Sequence, residues 1–126
     1  GVGGRREHTL ANLQLLDWLP GQGGQGFLAG EKTVATAIRG PASLTFPAAM
    51  SGYLSAFCNS GTAEGVTLEN LKFPLEHSTL TSSFPLGVSN QFLGQSARVS
   101  VEKGSLLLIW EDKGDFYSLL PQLWLR

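Results

Sequence analysis

The sequence predicts a mainly β protein, an antiparallel sandwich or barrel preceded by one α-helix. Three observations predict it. From Phe27 onward the chain falls into short runs rich in β-branched and aromatic residues. Turn signals separate those runs: Gly40-Pro41, Ser60-Gly61, Glu64-Gly65, Phe73-Pro74, Phe84-Pro85 and Gly104. No helical period intervenes between them, which disfavours parallel βαβ units. At 126 residues, the chain fits one domain with the edge of a second attached. Its hydrophobic content of 42% suffices for a core without disulfide staples, because a domain of this size buries roughly two-thirds of its unfolded surface.

Taken in order, Gly1 to Leu19 reads as a Gly-rich opening and then a helix. Leu, Ala, Gln and Glu favour helix, Gly3 and Gly4 mark its start, and Pro20-Gly21 ends it. Apolar residues fall around most of its circumference, the pattern of a helix buried between layers. Arg5, His8 and Asn12 share one narrow polar stripe at i, i+3 and i+7. Residues 21–26 form a Gly/Gln linker, so the expected organisation is 1–20 as a terminal helix, 21–26 as linker and 27–126 as the β domain.

Strands are then expected at Thr33 to Arg39, Ser43 to Phe46, Tyr53 to Cys58, Val66 to Phe73, Ala97 to Glu102 and Ser105 to Glu111. Glu102-Lys103-Gly104-Ser105 reads as a hairpin turn between the last two. The Leu- and Trp-rich stretch Gly114 to Arg126 is compatible with a final strand, a short helix or a docking segment.

Charge excludes some functions. Nine Lys+Arg against ten Asp+Glu, with 15% charged residues, give no cationic stripe for nucleic acid. The longest apolar run, Leu106 to Trp110, falls far short of the about 20 residues a bilayer helix needs, so no membrane span is expected. No basic-then-apolar leader opens the chain. Its only methionine is Met50, so the sequence reads as a piece of a longer protein. The single cysteine, Cys58, permits no internal disulfide and no Cys-based zinc site; it reads as a buried, inert thiol in a reduced, cytoplasmic compartment.

Catalytic constellations are sparse. His8 and His77 are the only histidines and lack a metal-ligand spacing, so no metal site is expected in this chain. No G-x-S-x-G elbow occurs. A Gly-rich turn feeding a helix, Gly3-Gly4-Arg5, presents N–H groups and a guanidinium suited to phosphate, although glycine before a helix is commonly just a turn.

The surrounding residues narrow the reading. Gly3 to Asn12, G-G-R-R-E-H-T-L-A-N, resembles the G-G-R-x-D-H-T-L-A-N signature of bacterial thiamine pyrophosphokinases (thiamine diphosphokinases). Gly65 to Leu75, G-V-T-L-E-N-L-K-F-P-L, is similar to that family's G-V-T-x-x-G-L-K-Y-P-L. Gly87-Val88-Ser89-Asn90 is similar to its G-x-S-N, and Gly104 to Ile109 to its closing glycine and apolar strand. The likeness runs from Gly3 to Trp110 and leaves the tail unmatched.

The resemblance implies a homodimeric, two-domain transferase that moves a pyrophosphoryl group from ATP, with Mg²⁺, to the thiamine hydroxyl, giving thiamine diphosphate and AMP. It implies an α/β ATP-binding domain with an Asp-rich G-D-x-D-S segment, and a thiamine-binding β-sandwich of jelly-roll type. The opening helix would then be the last element of the α/β domain, and the Asp-rich segment is not among these residues. The present chain alone is therefore expected to be inactive. By the same resemblance, Arg5 would contact ATP phosphates. Glu7, the candidate catalytic carboxylate, stands where the family has Asp near the Mg²⁺–ATP site. Phe73, Ser89 and Asn90 would contact thiamine, the Phe73 ring facing its cationic portion. Read without the family, Ser89-Asn90 is an Asx-type turn, Phe73 a core aromatic, and His8 and Asn12 polar anchors of the helix. Asn70 replaces a family glycine, and Asn tolerates the left-handed backbone a turn there requires.

A second reading, from a different class, is a non-catalytic β-sandwich module for ligand binding or dimerisation. In that reading Trp18, Trp110 and Trp124 would form a sugar-binding face.

Overall fold

Alternation of side chains builds this molecule. In the strand Thr33–Arg39, Val34, Thr36 and Ile38 are buried while their neighbours are not; in Ser105–Glu111, Leu106, Leu108 and Trp110 are buried likewise. Each strand therefore has one face for a core and one for the outside. The computed structural model describes residues 14–17, 26–30, 32–58, 61–81 and 88–126. They form β1 (Gln14–Asp17), β2 (Gly26–Ala29), β3 (Thr33–Arg39), β4 (Ala42–Phe46), β5 (Tyr53–Cys58), β6 (Thr62–Glu69), β7 (Leu75–Thr81), β8 (Val88–Gln91), β9 (Ala97–Val101) and β10 (Ser105–Glu111). A short helix α1 (Phe116–Leu119), a 3₁₀ turn (Leu120–Gln122) and β11 (Trp124–Leu125) follow.

The strands make two antiparallel sheets. One has six strands in the order β1-β2-β3-β10-β5-β8; the other has five, β11-β4-β9-β6-β7. Their inner faces enclose a single core that includes Phe27, Val34, Ile38, Leu54, Leu106 and Leu108 from one sheet and Leu44, Phe46, Val66, Leu68 and Val99 from the other. Each such side chain contributes about 1.5–3 kcal/mol on burial. The expected sandwich is therefore the observed architecture. Among the described residues no helix is long and apolar enough to cross a membrane.

Four sequence expectations change. Gln14–Asp17, expected as the end of the opening helix, is extended and pairs with β2, Gln14 opposite Ala29 and Asp17 opposite Gly26. A short apolar run does not distinguish strand from buried helix, and here the exposed edge of β2 supplies the hydrogen-bond partners. The rest of that helix, with Arg5, Glu7, His8 and Asn12, lies outside the described residues, as do Trp18 and most of the linker. Secondly, Glu102–Gly104 is no hairpin: β9 pairs with β4 and β6, whereas β10 pairs with β3 and β5. The segment is an arch from one sheet to the other, tied to Gly40 (N–H to Gly104 O, 2.8 Å) and to Glu64 (N–H to Lys103 O, 2.8 Å). Thirdly, Cys58 is half-buried against the core and its thiol donates to the Gly61 carbonyl at 3.4 Å. Lastly, Trp110 is 2% exposed, so the three tryptophans do not form a sugar-binding face.

The tail is strand, helix and docking segment in turn. β11 pairs with β4, and Phe116, Leu119 and Leu123 enter the core.

Candidate functional site

The loop after β6 is fixed by its own residues. Asn70 adopts φ 61°, the left-handed turn anticipated for it, and β6 ends just before it at Glu69, four residues short of the expected Phe73. Its side-chain amide donates to the Ser96 carbonyl at 2.9 Å. Leu71 bridges Phe92, and the Lys72 N–H donates to the Gln91 carbonyl at 3.1 Å. The loop thus leaves the five-stranded sheet and lies against β8 of the six-stranded one.

Asn90 completes this contact. Its Oδ1 accepts from the Phe73 N–H at 2.7 Å and from the Gln91 N–H at 3.1 Å, while its Nδ2 donates to the Phe73 carbonyl at 2.6 Å. The side chain is 3% exposed, so a buried amide grips both polar groups of the Phe73 main chain. The Phe73 ring is 56% exposed, which removes it from the core and leaves it on the surface beside β8. Lys72 Nζ stands 5.4 Å from the ring centroid, an approach that satisfies cation–π geometry.

Phe73 and Asn90 are therefore brought together. Ser89 is in β8, opposite Ser55, and alternation turns its exposed side chain to the other face of the strand from Asn90. The Asx-turn alternative for Ser89-Asn90 gives way to an extended strand. Arg5 and Glu7 lie outside the described residues. Lys72 and Gln91 were not singled out by the sequence. Lys72 had a signal, since it immediately precedes the aromatic of the G-V-T motif; Gln91 had none.

Other titratable groups serve the scaffold. His77 Nε2 is 3.0 Å from a Glu102 carboxylate oxygen on the exposed surface. Glu111 bonds Lys113 at 2.8 Å and accepts from the Tyr53 N–H. The Lys113 hydrogen bond and charge, with the Tyr53 N–H, hold its carboxyl below the ordinary range, against the opposite pull of desolvation. Among the described residues no group of three or more His, Cys, Asp or Glu side chains is placed to hold a metal ion.

Comparison with known proteins adds a family to this geometry. Residues 43–106 match the family described as thiamin pyrophosphokinase, vitamin B1 binding domain. That range contains β4 from its second residue, β5 to β9, the Phe73 loop and both Ser89 and Asn90. A search of curated proteins finds no match. Among solved structures, thiamin pyrophosphokinase from Geobacillus thermodenitrificans is similar with a TM-score of 0.60 at 22% identity, over 70% of this chain and 41% of that one. The Bacillus subtilis thiamine pyrophosphokinase gives 0.62 at 20% identity, over 71% and 42%. A thiamin pyrophosphokinase family protein from Enterococcus faecalis gives 0.57 at 18% identity, over 69% and 40%. The matched region thus spans about two-fifths of each of those chains, and the likeness shows that the fold is shared. With the family match covering half of its length, the chain belongs to the thiamin pyrophosphokinase family through the vitamin B1 binding domain.

Proposed function

We propose that this chain is the thiamine-binding portion of a thiamine pyrophosphokinase, and that the ligand meets it at the Phe73–β8 corner. The observation that carries this reading is the Asn90 clamp. A buried amide fixes the main chain of an exposed aromatic residue, inside the region that matches the vitamin B1 binding domain. The exposed phenyl ring presents a face that attracts a cation such as the thiazolium of thiamine. The Phe73 ring is the contact surface and Asn90 the residue that positions it; the Ser89 hydroxyl, on the other face of β8, would meet the aminopyrimidine around the edge of that strand.

In the intact protein the reaction would be transfer of a pyrophosphoryl group from ATP to the thiamine hydroxyl, releasing AMP. ATP and Mg²⁺ would be held by an α/β half, with Arg5 on the phosphates and Glu7 beside the metal–nucleotide. The family resemblance supports these roles, along with a homodimer and a cytoplasmic setting. The 126 residues contain no G-D-x-D-S segment. Phosphoryl transfer depends on positioned charge, so thiamine binding and catalysis should separate in this chain.

Calorimetric titration of thiamine into the chain tests the proposal. Binding is expected, with Phe73→Ala weakening it about tenfold through loss of the cation-facing ring, and Ser89→Ala weakening it less. Unchanged affinity in both variants would remove the site. Mixed with ATP, Mg²⁺ and thiamine, the chain should release no AMP; release would show that its own residues suffice.

A further inference from the structure

A second concave site lies on the outer face of the five-stranded sheet, a depression of about 190 Å³ lined by Ser43, Thr45, Arg98, Trp124 and Arg126. Strand register builds it. Trp124, Thr45 and Arg98 stand opposite one another across β11, β4 and β9; Arg126, Ser43 and Ser100 make the adjacent row. Residues that pair across neighbouring strands, or lie two apart on one strand, share a face. Two guanidinium groups therefore rise on either side of β4, with the Ser43 and Thr45 hydroxyls on the strand between them.

We propose that this depression is an oxyanion site that takes a tetrahedral phosphoryl group, either free phosphate or the end group of a phosphomonoester. Among the described residues, those lining it supply two guanidinium groups, two hydroxyls and one indole, and no acidic side chain. Arg98 Nη2 donates to Ser43 Oγ at 3.5 Å, which aims the fork over the hydroxyl row. The nearby Glu69 carboxylate is 4.0 Å from Arg98 Nε with both side chains half-exposed, a separation and exposure at which an ion pair is weak. Arg126 is held at its main chain, its N–H donating to the Ser43 carbonyl at 2.8 Å and its carbonyl accepting from the Ser43 N–H at 3.0 Å. Its guanidinium carbon lies over the Trp124 ring, 5.3 Å from the centroid. A cation–π contact of this kind holds the fork beside the indole and leaves N–H groups for an acceptor. Both forks thus project from hydrogen-bonded strands, which limits the ordering cost of binding.

Size selects the ligand class. The depression is smaller than the about 300–1,000 Å³ that encloses a whole drug-sized molecule. It suits one compact anionic group, with anything attached to that group lying along the Trp124 indole, which is 58% exposed. Trp124 and Arg126 fall outside the family-matched residues, and the site does not depend on the vitamin reading.

The test is titration of inorganic phosphate and of phenyl phosphate into the 126-residue chain at low ionic strength, read by calorimetry and indole fluorescence. Phosphate is expected to bind. Arg98→Ala and Arg126→Ala should each weaken it about tenfold, and Arg98→Lys, which keeps charge but loses the fork, should fall between. Arg39→Ala removes the same charge from an exposed position on the other sheet and should change affinity less than about twofold. Phenyl phosphate that binds more tightly than phosphate, with the difference lost in Trp124→Ala, would identify a phosphomonoester as the source. Equal affinities would identify free phosphate. An absence of heat and of fluorescence change at millimolar phosphate overturns the proposal. So does an Arg39→Ala effect equal to that of Arg98→Ala, because binding would then track net charge alone.

Discussion

A carboxamide has two donor hydrogens and two acceptor lone pairs, and Asn90 commits three of these four to main chain, two of them to Phe73. The Phe73 peptide groups supply one donor and one acceptor, and the single Asn90 amide satisfies both at once. Asn90→Ala should leave those groups without partners and cost about 1–3 kcal/mol in urea unfolding. It should also weaken thiamine binding, because the ring would lose its fixed position. Asn90→Asp keeps the acceptor, loses the donor and should fall between in stability. Lys72 acts in the opposite sense. Its ammonium already faces the Phe73 ring, and an exposed pair of this kind is worth about 0.5–1 kcal/mol. Lys72→Met is expected to tighten thiamine binding about two- to fivefold, measured in the same titrations, since the ring face and the local positive potential would both be released to the ligand.

The connections between strands decide how the two sheets stack, and Gly104 governs one of them. In the arch from β9 to β10 it has φ +89°, and a side chain there would run into the Thr62 carbonyl oxygen of β6. Gly61 also has positive φ, at +65°, but a Cβ there meets nothing within 4 Å. Gly61→Ala should therefore cost only the backbone penalty of about 1–2 kcal/mol. Gly104→Ala should cost clearly more, about 3 kcal/mol or above, from conformation and clash together; paired urea titrations compare them. Glu111 joins the end of β10 to the start of β5 through the Tyr53 N–H, and Lys113 bonds it from the following turn. Its folded carboxyl titrates below the ordinary value, so its stabilising contribution is present above the unfolded pKa and is lost as pH falls through the folded one. The unfolding midpoints of the parent and Glu111→Gln should differ at neutral pH and converge as pH falls through the depressed folded pKa of the carboxyl. The same elements show what the sequence discloses. Thr33–Arg39, Tyr53–Cys58 and Ser105–Glu111 were legible to the residue because their alternation is a local property. β7 was not: none of its side chains is fully buried and its pairing with β6 shifts register twice, so no clean period marks it. The arch at Glu102–Gly104 looks like a hairpin locally, since only pairing with distant strands distinguishes the two. At the candidate site, family motifs singled out Phe73 and Asn90, whereas the clamp between them is a contact across 17 positions that no local pattern contains.

Across the whole molecule, aromatic rings run in contact through both sheets and into the tail. Phe92 meets Phe46 with centroids 5.3 Å apart, Phe46 meets Trp110 at 5.1 Å, Trp110 meets Phe27 at 5.9 Å, and Phe27 meets Phe116 at 5.8 Å. The Phe46–Trp110 contact is an edge-on packing of the two sheets, and Phe116 brings α1 onto the same core. Such pairs contribute about 0.5–1.5 kcal/mol beyond the area they bury. Because the rings share partners, loosening one end of the chain should be felt at the other. The tail is thereby expected to unfold with the sandwich rather than before it. Near-ultraviolet dichroism, which reports the buried Trp110, and far-ultraviolet dichroism, which reports the strands, should trace one coincident urea transition. Phe116→Ala should shift that transition by about 3–5 kcal/mol while keeping it single. If α1 were only a surface attachment, the same substitution would leave the transition in place. A split between the two signals would mean that the rings merely touch and that the sheets hold together separately.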